Sequence, residues 1–136
     1  MEYPEIPGYR ILKPLGQGGM AMVYLAIQEN FQREVAVKIM SQKLLSDSSF
    51  GERFLREARI VAQLSHQNIV PVFDVGRHGD FHYIAMELLP GGDLKERLAN
   101  GVPLIEGIGI VHQIAAALHY AASKGFVHRD IKPENI

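Results

Sequence analysis

The sequence predicts an α+β fold in which a five-stranded antiparallel sheet with one helix against it is followed by a helical region. Three observations lead to this prediction. Short apolar runs between turn formers fill residues 9–40, the apolar spacing changes to three and four over residues 49–65, and the composition becomes helical after PGGD at 90–93. Alternating apolar residues are typical of strands, and spacings of three and four are typical of helices.

The first three strands are predicted in the runs YRILKPL, MVYLAI and REVAVKIM, with a glycine cluster at 16–19 between the first two. In the third run Val35, Val37 and Ile39 alternate, as apolar residues do in a strand. Pro14 has no N–H to donate to a neighbouring strand, so we expect the first strand at a sheet edge. The runs IVPVFDVG and FHYIAMELL flank RHGD, which predicts a hairpin.

One helix is predicted from about Ser49 to Ser65, because apolar residues recur there at helical spacing: Phe54, Ala58, Val61 and Leu64. A short helix, DLKERLAN, should follow PGGD and end at Gly101. A longer helix should run from about Pro103 to Lys124 and carry a partly exposed apolar stripe of Ile108, Val111, Ala115, Leu118 and Ala122. The predicted organisation is an N-terminal extension (1–8), a first lobe (9–89) and a second lobe (90–136).

The composition disfavours several classes of function. Lys and Arg number 14 against 15 Asp and Glu, a net charge of -1 that gives no positive field for nucleic acid or an anionic membrane. The absence of cysteine excludes disulfides and thiolate metal sites. The start MEYPEIPGYR does not resemble a signal peptide, and no apolar run approaches the roughly 20 residues that span a bilayer. We therefore expect a cytoplasmic location, at the cytoplasmic face if the complete protein has a membrane anchor.

The segment LGQGGMAMVYLA, residues 15–26, is a candidate phosphate-binding loop. Glycines without side chains let backbone N–H groups approach phosphate oxygens, although a simple glycine-rich hairpin turn is an equal alternative from this segment alone. A dinucleotide-binding turn would need a helix directly after the glycines and an acid about 20 residues later. The sequence instead has a strand pattern and Lys38, which disfavours that alternative.

Lys38 and Glu57 form a second candidate. Burial of a lysine ammonium in the apolar row of a strand costs roughly several kcal/mol unless the ammonium pairs with an anion. The alternative is a lysine at a sheet edge whose charge reaches water. Glu57 lies at the margin of the apolar stripe of the first predicted helix, and an ion pair with Lys38 would offset both burial costs.

The final segment, HRDIKPENI, carries the third candidate. Asp130 offers a carboxylate to take a hydroxyl proton, Lys132 a cation for a transferring phosphoryl group, and Asn135 an amide oxygen for a metal ion. With the motifs above, this stretch resembles the catalytic loop of protein kinases, and the chain from about Tyr9 to Ile136 is most similar to Hanks-type, or eukaryotic-like, bacterial Ser/Thr members.

The resemblance implies a protein-kinase-like fold and a set of ATP-binding residues. These are the phosphate-covering Gly16, Gly18 and Gly19, the adenine-contacting Leu15, Val23 and Ala36, the gatekeeper Met86, the hinge residues Glu87 and Leu89, Asp93 at the ribose, and Lys38 at the α- and β-phosphates. It also implies that Glu57 pairs with Lys38, that Asp130 is the catalytic base, that Lys132 steadies the γ-phosphate, and that Asn135 binds Mg²⁺, with Mn²⁺ as the alternative ion. His128 and Arg129 would support the loop.

The implied activity is ATP-dependent phosphorylation of Ser/Thr hydroxyls on protein substrates, with a second copy of the kinase as a partner for dimerisation or autophosphorylation. Two departures from the family pattern matter. Ala21 stands where the family has a third glycine, and no D-F-G segment follows Asn135 in this sequence. By the resemblance, the chain is a fragment that is inactive by itself. A non-catalytic nucleotide-binding or interaction module and a truncated gene product are the alternatives.

Overall fold

Five antiparallel strands form one sheet in the described part of the chain, which confirms the sequence prediction. The computed structural model describes residues 2–18, 21–41 and 49–136. Its strands are β1 (Tyr9–Gly18), β2 (Ala21–Gln28), β3 (Arg33–Ser41), β4 (Val72–His78) and β5 (Phe81–Glu87). The strand order is β1-β2-β3-β5-β4, so β1 with Pro14 lies at an edge, as predicted. The hairpin between β4 and β5 turns at Gly79, whose φ of 58° suits a two-residue loop.

The helices follow the predicted order: α1 (Ser49–Ala62), α2 (Leu94–Ala99) and α3 (Leu104–Ser123). Helix α1 packs against β4 and β5. It ends at Ala62 rather than near Ser65, because Leu64 is buried with the segment that follows the helix and not on the helix itself. All five residues of the predicted apolar stripe on α3 are exposed, as expected. Within the described ranges, no helix has the length and apolarity that a membrane crossing requires.

The chain divides into two compact units. Unit 1 contains residues 1–63 and 70–88, and unit 2 contains residues 64–69 and 89–136. The segment 64–69 belongs to unit 2 although it precedes β4 in the chain. Two hydrogen bonds hold it to α3: the Ser65 N–H donates to the Tyr120 hydroxyl (3.1 Å), and the Asn68 side-chain amide donates to Gln113 Oε1 (2.9 Å).

The sheet of unit 1 is apolar on both faces at its centre. On one face Val35 and Val37 are fully buried, and Tyr24 and Ala85 join them in the main core. On the other face Ala36 and Met40 are also buried. Strand β3 is the central strand, with β2 and β5 as its hydrogen-bonded neighbours, and its side chains are buried on both faces of the sheet.

The N-terminal segment covers part of the main core. Ile6 is 3% exposed, and the Tyr3 ring meets the Tyr24 ring edge to face with centroids 5.8 Å apart. The Tyr9 N–H donates to the Ile6 carbonyl at 3.1 Å, which turns the segment into β1. Residues that the sequence predicted as an extension therefore pack directly against the sheet.

Candidate active site

Strand pairing places Lys38 in a row of side chains that crosses three strands of unit 1. Lys38 pairs with Val23 on β2 and with Ile84 on β5. Directly opposed residues in antiparallel strands point to the same face, so these three side chains lie together. Lys38 is half-buried. The register thus sets a cation within an apolar surface, as the alternation in the sequence predicted.

A second row lies beside the first on the same face. Ala36 pairs with Leu25 on β2 and with Met86 on β5. Side chains two positions apart on one strand share a face, so Ala36 and Met86 lie on the Lys38 face. Of the predicted adenine-contacting residues, Val23 and Ala36 are therefore brought together with the predicted gatekeeper Met86.

The structure does not bring Glu57 to Lys38. Helix α1 buries Gly51, Leu55 and Ala58, while Glu57 is exposed. At 3.6 residues per turn, Glu57 lies roughly a third of a turn away from that buried face. No ion pair joins Lys38 and Glu57 within the described ranges. The sequence expectation of a carboxylate facing the sheet is thus not met in this conformation, and the pairing remains a prediction for the nucleotide-bound state.

The glycine-rich segment forms the end of β1 and the start of β2. Gly16 pairs with Val23 and Gly18 with Ala21. A Cβ at Gly16 or Gly18 would meet open space, so the backbone there is accessible from outside. Gly19 lies outside the described residues. Strand β2 begins at Ala21, which is 3% exposed, and so a strand rather than a helix follows the glycines.

Leu15, Glu87, Leu89 and Asp93 differ in their surroundings. Leu15 on β1 is 47% exposed and Leu89 is 56% exposed. The Glu87 N–H donates to the Pro71 carbonyl at 3.0 Å, which holds the end of β5. Asp93 is the N-cap of α2 and accepts a 2.9 Å hydrogen bond from the Glu96 N–H through Oδ1. This capping role leaves Oδ2 as the oxygen that a ligand could use.

In unit 2 the segment 128–135 folds around Asp130. The Asp130 N–H donates to His128 Nδ1 at 3.1 Å, and the Asn135 side-chain amide donates to the Asp130 carbonyl at 2.9 Å. Arg129, between them, has a φ of 67°, in the left-handed region that a residue other than glycine adopts at an energetic cost. The two hydrogen bonds hold the backbone of this turn at Asp130.

Lys132 and Asn135 both reach the Asp130 carboxylate. Lys132 Nζ lies 3.5 Å from Asp130 Oδ2, and Asn135 Nδ2 lies 3.5 Å from the same oxygen. The carboxylate is 67% exposed and the Lys132 side chain is 49% exposed. A carboxylate, an ammonium group and an amide therefore meet at one accessible point. Because Asn135 donates through Nδ2, its Oδ1 is left as an acceptor.

The end of the loop is held by α2. The Leu94 N–H donates to the Ile136 carbonyl at 2.7 Å, and Lys95 Nζ lies 3.2 Å from Glu134 Oε1. A backbone hydrogen bond within Glu134 and then Lys95 lower the pKa of the Glu134 carboxyl, which keeps it ionised. Sequence reasoning missed Lys95 as a partner of the loop. The two charges stand 39 positions apart, and neither lies in a recognised pattern.

A comparison with protein families gives a match to the protein kinase domain over residues 9–136. The chain belongs to the protein kinase family. Kinases of this family use ATP and a divalent metal ion and act on protein substrates. The motifs of the glycine-rich segment, Lys38 and the loop around Asp130 therefore occur in a kinase in their family order.

Several relatives resemble this kinase chain closely. Serine/threonine-protein kinase PrkC of Bacillus subtilis is 45% identical over 130 residues, which are 94% of this chain and 20% of that protein. Serine/threonine-protein kinase PknJ of Mycobacterium tuberculosis is 40% identical over 129 residues, 94% of this chain and 22% of that protein. The chain thus spans about a fifth of the length of these relatives.

The fold of this kinase chain also matches solved structures. The crystal structure of the Mycobacterium tuberculosis PknI kinase domain superposes with a TM-score of 0.83 at 34% sequence identity. The match covers 97% of this chain and 55% of that one. The protein-kinase fold predicted from the sequence is confirmed, and the chain corresponds to about half of such a domain.

Proposed function

We propose that the complete protein containing this chain is a serine/threonine protein kinase that transfers the γ-phosphate of ATP to Ser/Thr hydroxyls of protein substrates. The arrangement around Asp130 carries the proposal. An accessible carboxylate with a lysine 3.5 Å away and a hydrogen-bonded amide offers the groups that phosphoryl transfer needs at one point. The kinase names of the relatives support the same activity.

In the proposed reaction the substrate hydroxyl oxygen attacks the γ-phosphorus. The new O–P bond forms as the bond between the γ-phosphorus and the bridging oxygen breaks, and ADP leaves with the electron pair. Asp130 accepts the hydroxyl proton, and the Lys132 ammonium stabilises the negative charge on the transferring group. The Asp130 N–H donates to His128 Nδ1 and the Asn135 amide donates to the Asp130 carbonyl, so both bonds hold the backbone that carries this carboxylate.

Nucleotide binding is assigned to the Lys38 face and the hinge. The Lys38 ammonium would hold the α- and β-phosphates, the backbone at Gly16, Gly18 and Gly19 would cover them, and Leu15, Val23 and Ala36 would contact the adenine. Met86 would lie behind the adenine, the backbones of Glu87 and Leu89 would bind its edge, and Asp93 would bind the ribose. The rows Val23–Lys38–Ile84 and Leu25–Ala36–Met86 support this assignment because they combine an apolar surface with one cation.

A divalent ion fits the donors of the loop. Mg²⁺ prefers oxygen ligands and usually takes one or two from protein together with substrate phosphates. Asn135 Oδ1 is such a donor, since the Nδ2 of the same amide is bound to the Asp130 carbonyl. We propose Mg²⁺ at Asn135, with Mn²⁺ as the alternative. When bound, the ion neutralises charge on the phosphates.

Two further features belong to the proposal. A second copy of the kinase would serve as a partner for dimerisation or as an autophosphorylation substrate. Because ATP is supplied in the cytoplasm, we propose that the kinase unit works there. In the nucleotide-bound state Glu57 would approach Lys38, which requires α1 to rotate or shift from its present position.

The test is phosphorylation of a generic protein substrate by the complete protein with radiolabelled ATP and Mg²⁺. Lys38→Met should abolish labelling while leaving the melting temperature nearly unchanged. Lys13→Met, the same change at an exposed lysine on β1, is the matched control and should keep full activity. Activity of Lys38→Met within tenfold of the wild type would contradict the assignment.

Asp130→Asn separates the kinase from a non-catalytic nucleotide-binding module. The variant should lose turnover yet bind ATP as the wild type does, because the base acts only on the hydroxyl proton. Asp80→Asn, at the hairpin of β4 and β5, is the control. Wild-type protein that binds ATP but labels no substrate under any condition would favour the module instead. The 136-residue chain by itself should label nothing, because it contains no D-F-G segment, whose aspartate binds Mg²⁺ in protein kinases.

A further inference from the structure

His82 on β5 is a buried polar side chain with an unsatisfied nitrogen. The residue is 1% exposed, and its Nδ1 has no hydrogen-bond partner in the described part of the chain. A buried donor or acceptor without a partner destabilises the folded state, because it has lost its hydrogen bond to water. Such atoms are rare in native structures, and each one calls for an explanation. The proposed phosphoryl transfer makes no use of this ring.

The position of His82 places it beneath α1. It pairs with Met40 on β3 and with Arg77 on β4. Met40 lies two residues beyond Lys38, so His82 lies on the Lys38 face of the sheet. Helix α1 packs against β4 and β5, and the carboxylate of Glu52 in its first turn acts electrostatically on the His82 ring.

The surroundings favour the uncharged ring. Burial lowers the pKa of His82 from its ordinary value of 6.5, and the Arg77 guanidinium on β4 lowers it further. Glu52 on α1 opposes this effect, but the net direction is downward. On β3 the residue opposite is Met40, which has no charge. A protonated ring would carry N–H groups on both nitrogens, and the one at Nδ1 would find no acceptor.

We propose that His82 is a proton-sensitive latch that holds α1 against the sheet only while its ring is uncharged. Protonation stabilises conformers in which α1 has moved off β5 and water reaches the ring. The packed state binds a proton more weakly than the displaced state. The stabilisation of the packed helix is therefore fully present above pH 6.5 and is lost as the pH falls below it.

The latch would couple pH to catalysis. Helix α1 carries Glu57, and the face that His82 shares carries Lys38, so displacement of α1 on acidification would change how closely these two residues approach each other. This consequence rests on the proposed kinase function. The latch itself is a property of unit 1, and it can be measured without any phosphoryl transfer.

Hydrogen–deuterium exchange of the complete protein at pH 7.5 and 5.5 tests the latch, after correction for intrinsic exchange rates. The fraction of molecules in which α1 is open, relative to β2 and β3, should rise by up to about tenfold at pH 5.5. This is the largest rise that one histidine can cause when its ring has a pKa near 6.5 in the displaced state. His82→Leu should abolish this rise. His78→Leu, at the exposed end of β4, is the matched control and should retain it.

The proposal is overturned if α1 opens equally at both pH values in the wild type, or if His82→Leu retains the rise. Should His82→Leu fail to fold, an NMR titration of the histidine rings in the wild type replaces it. A His82 ring that titrates at the ordinary value of a free histidine contradicts the latch. A pH-dependent α1 in a protein without phosphotransfer would sustain the latch and reject only the kinase function.

Discussion

The Tyr9 hydroxyl donates a 2.7 Å hydrogen bond to Oδ2 of Asp74 and so connects β1 with β4, the two edge strands of the sheet. Three further residues extend this contact. Arg33 Nε donates to Gln28 Oε1 at 2.8 Å, and Gln28 Nε2 lies 3.5 Å from the Tyr9 oxygen. The Arg33 guanidinium stacks on the Phe73 ring, 3.9 Å from its centroid. A polar chain thus runs beside the main core from β3 to β4.

Tyr9→Phe should destabilise unit 1. The variant keeps the ring in the core but leaves the half-buried Asp74 carboxylate without this donor, which typically costs about 1–3 kcal/mol. Urea denaturation followed by circular dichroism measures the change. Tyr3→Phe is the matched control, because the Tyr3 ring contacts the Tyr24 ring edge to face and the variant keeps that ring. The free energy of unfolding of this variant should stay within about 0.5 kcal/mol of the wild-type value. Equal stability of Tyr9→Phe and wild type would mean that water replaces the bond.

Stability should also fall at alkaline pH. Burial and then the nearby Asp74 raise the pKa of Tyr9 well above its ordinary value of 10.0, and they raise the pKa of Tyr83 in the same direction. The folded state therefore favours the protonated phenol, and this stabilisation is present below pH 10 and lost as the pH rises above it. Between pH 9 and 11 the free energy of unfolding, measured with urea, should fall further in the wild type than in Tyr9→Phe, because one of the two phenols is missing from the variant. An equal loss would locate the effect elsewhere.

Asn135→Ala should impair turnover in the complete kinase. The change removes both the hydrogen bond to the Asp130 carbonyl and the oxygen proposed for Mg²⁺. Misplacement of a catalytic group by about 1 Å can cost on the order of 10²-fold in rate. We expect a fall in kcat of at least that size and a higher Mg²⁺ requirement, measured by steady-state kinetics at several metal concentrations. Asn100→Ala, which removes a bond to the Glu96 carbonyl at the end of α2, should leave both quantities nearly unchanged.

The 136-residue chain should self-associate through α3. Ile105, Ile108 and Val111 are 86%, 61% and 65% exposed, and contiguous apolar surface of this kind favours association. The double change Ile108→Glu with Val111→Glu should shift the chain towards monomer in light-scattering measurements. Phe31→Glu removes a similarly exposed apolar residue from unit 1 and serves as the control. If Phe31→Glu acts as strongly as the double change, α3 is not the contact.

Much of this structure follows from local patterns in the sequence. The alternation of Val35, Val37 and Ile39 predicts β3 and puts Lys38 on the opposite face, because the side-chain period of a strand is two. The five strands and the edge position of Pro14 were both predicted from such patterns. Each depends on residues close together in the chain, where geometry follows from spacing.

The parts that sequence reasoning missed depend on long-range contacts. The end of α1 at Ala62 is set by the burial of Leu64 with the segment held by Tyr120, 55 positions after Ser65. The outward direction of Glu57 depends on which face of α1 the sheet buries. The sequence predicted that face from Phe54, Ala58, Val61 and Leu64, whereas the buried residues of α1 are Gly51, Leu55 and Ala58. The contact of Lys95 with Glu134 and the buried His82 ring have no local signature.

The pairing of β3 with both neighbours also guards against misfolding. Because side chains alternate, a shift of β3 by one residue would move Lys38 among Tyr24, Ala26 and Ala85, and would turn Val37 to the face proposed for nucleotide. The ammonium, half-buried in the native register, would then lie among fully buried apolar side chains, at a cost of roughly several kcal/mol. Lys38 thus destabilises the shifted register of the sheet relative to the native one. The residue proposed to bind phosphate therefore also favours the correct pairing of the strand that carries it.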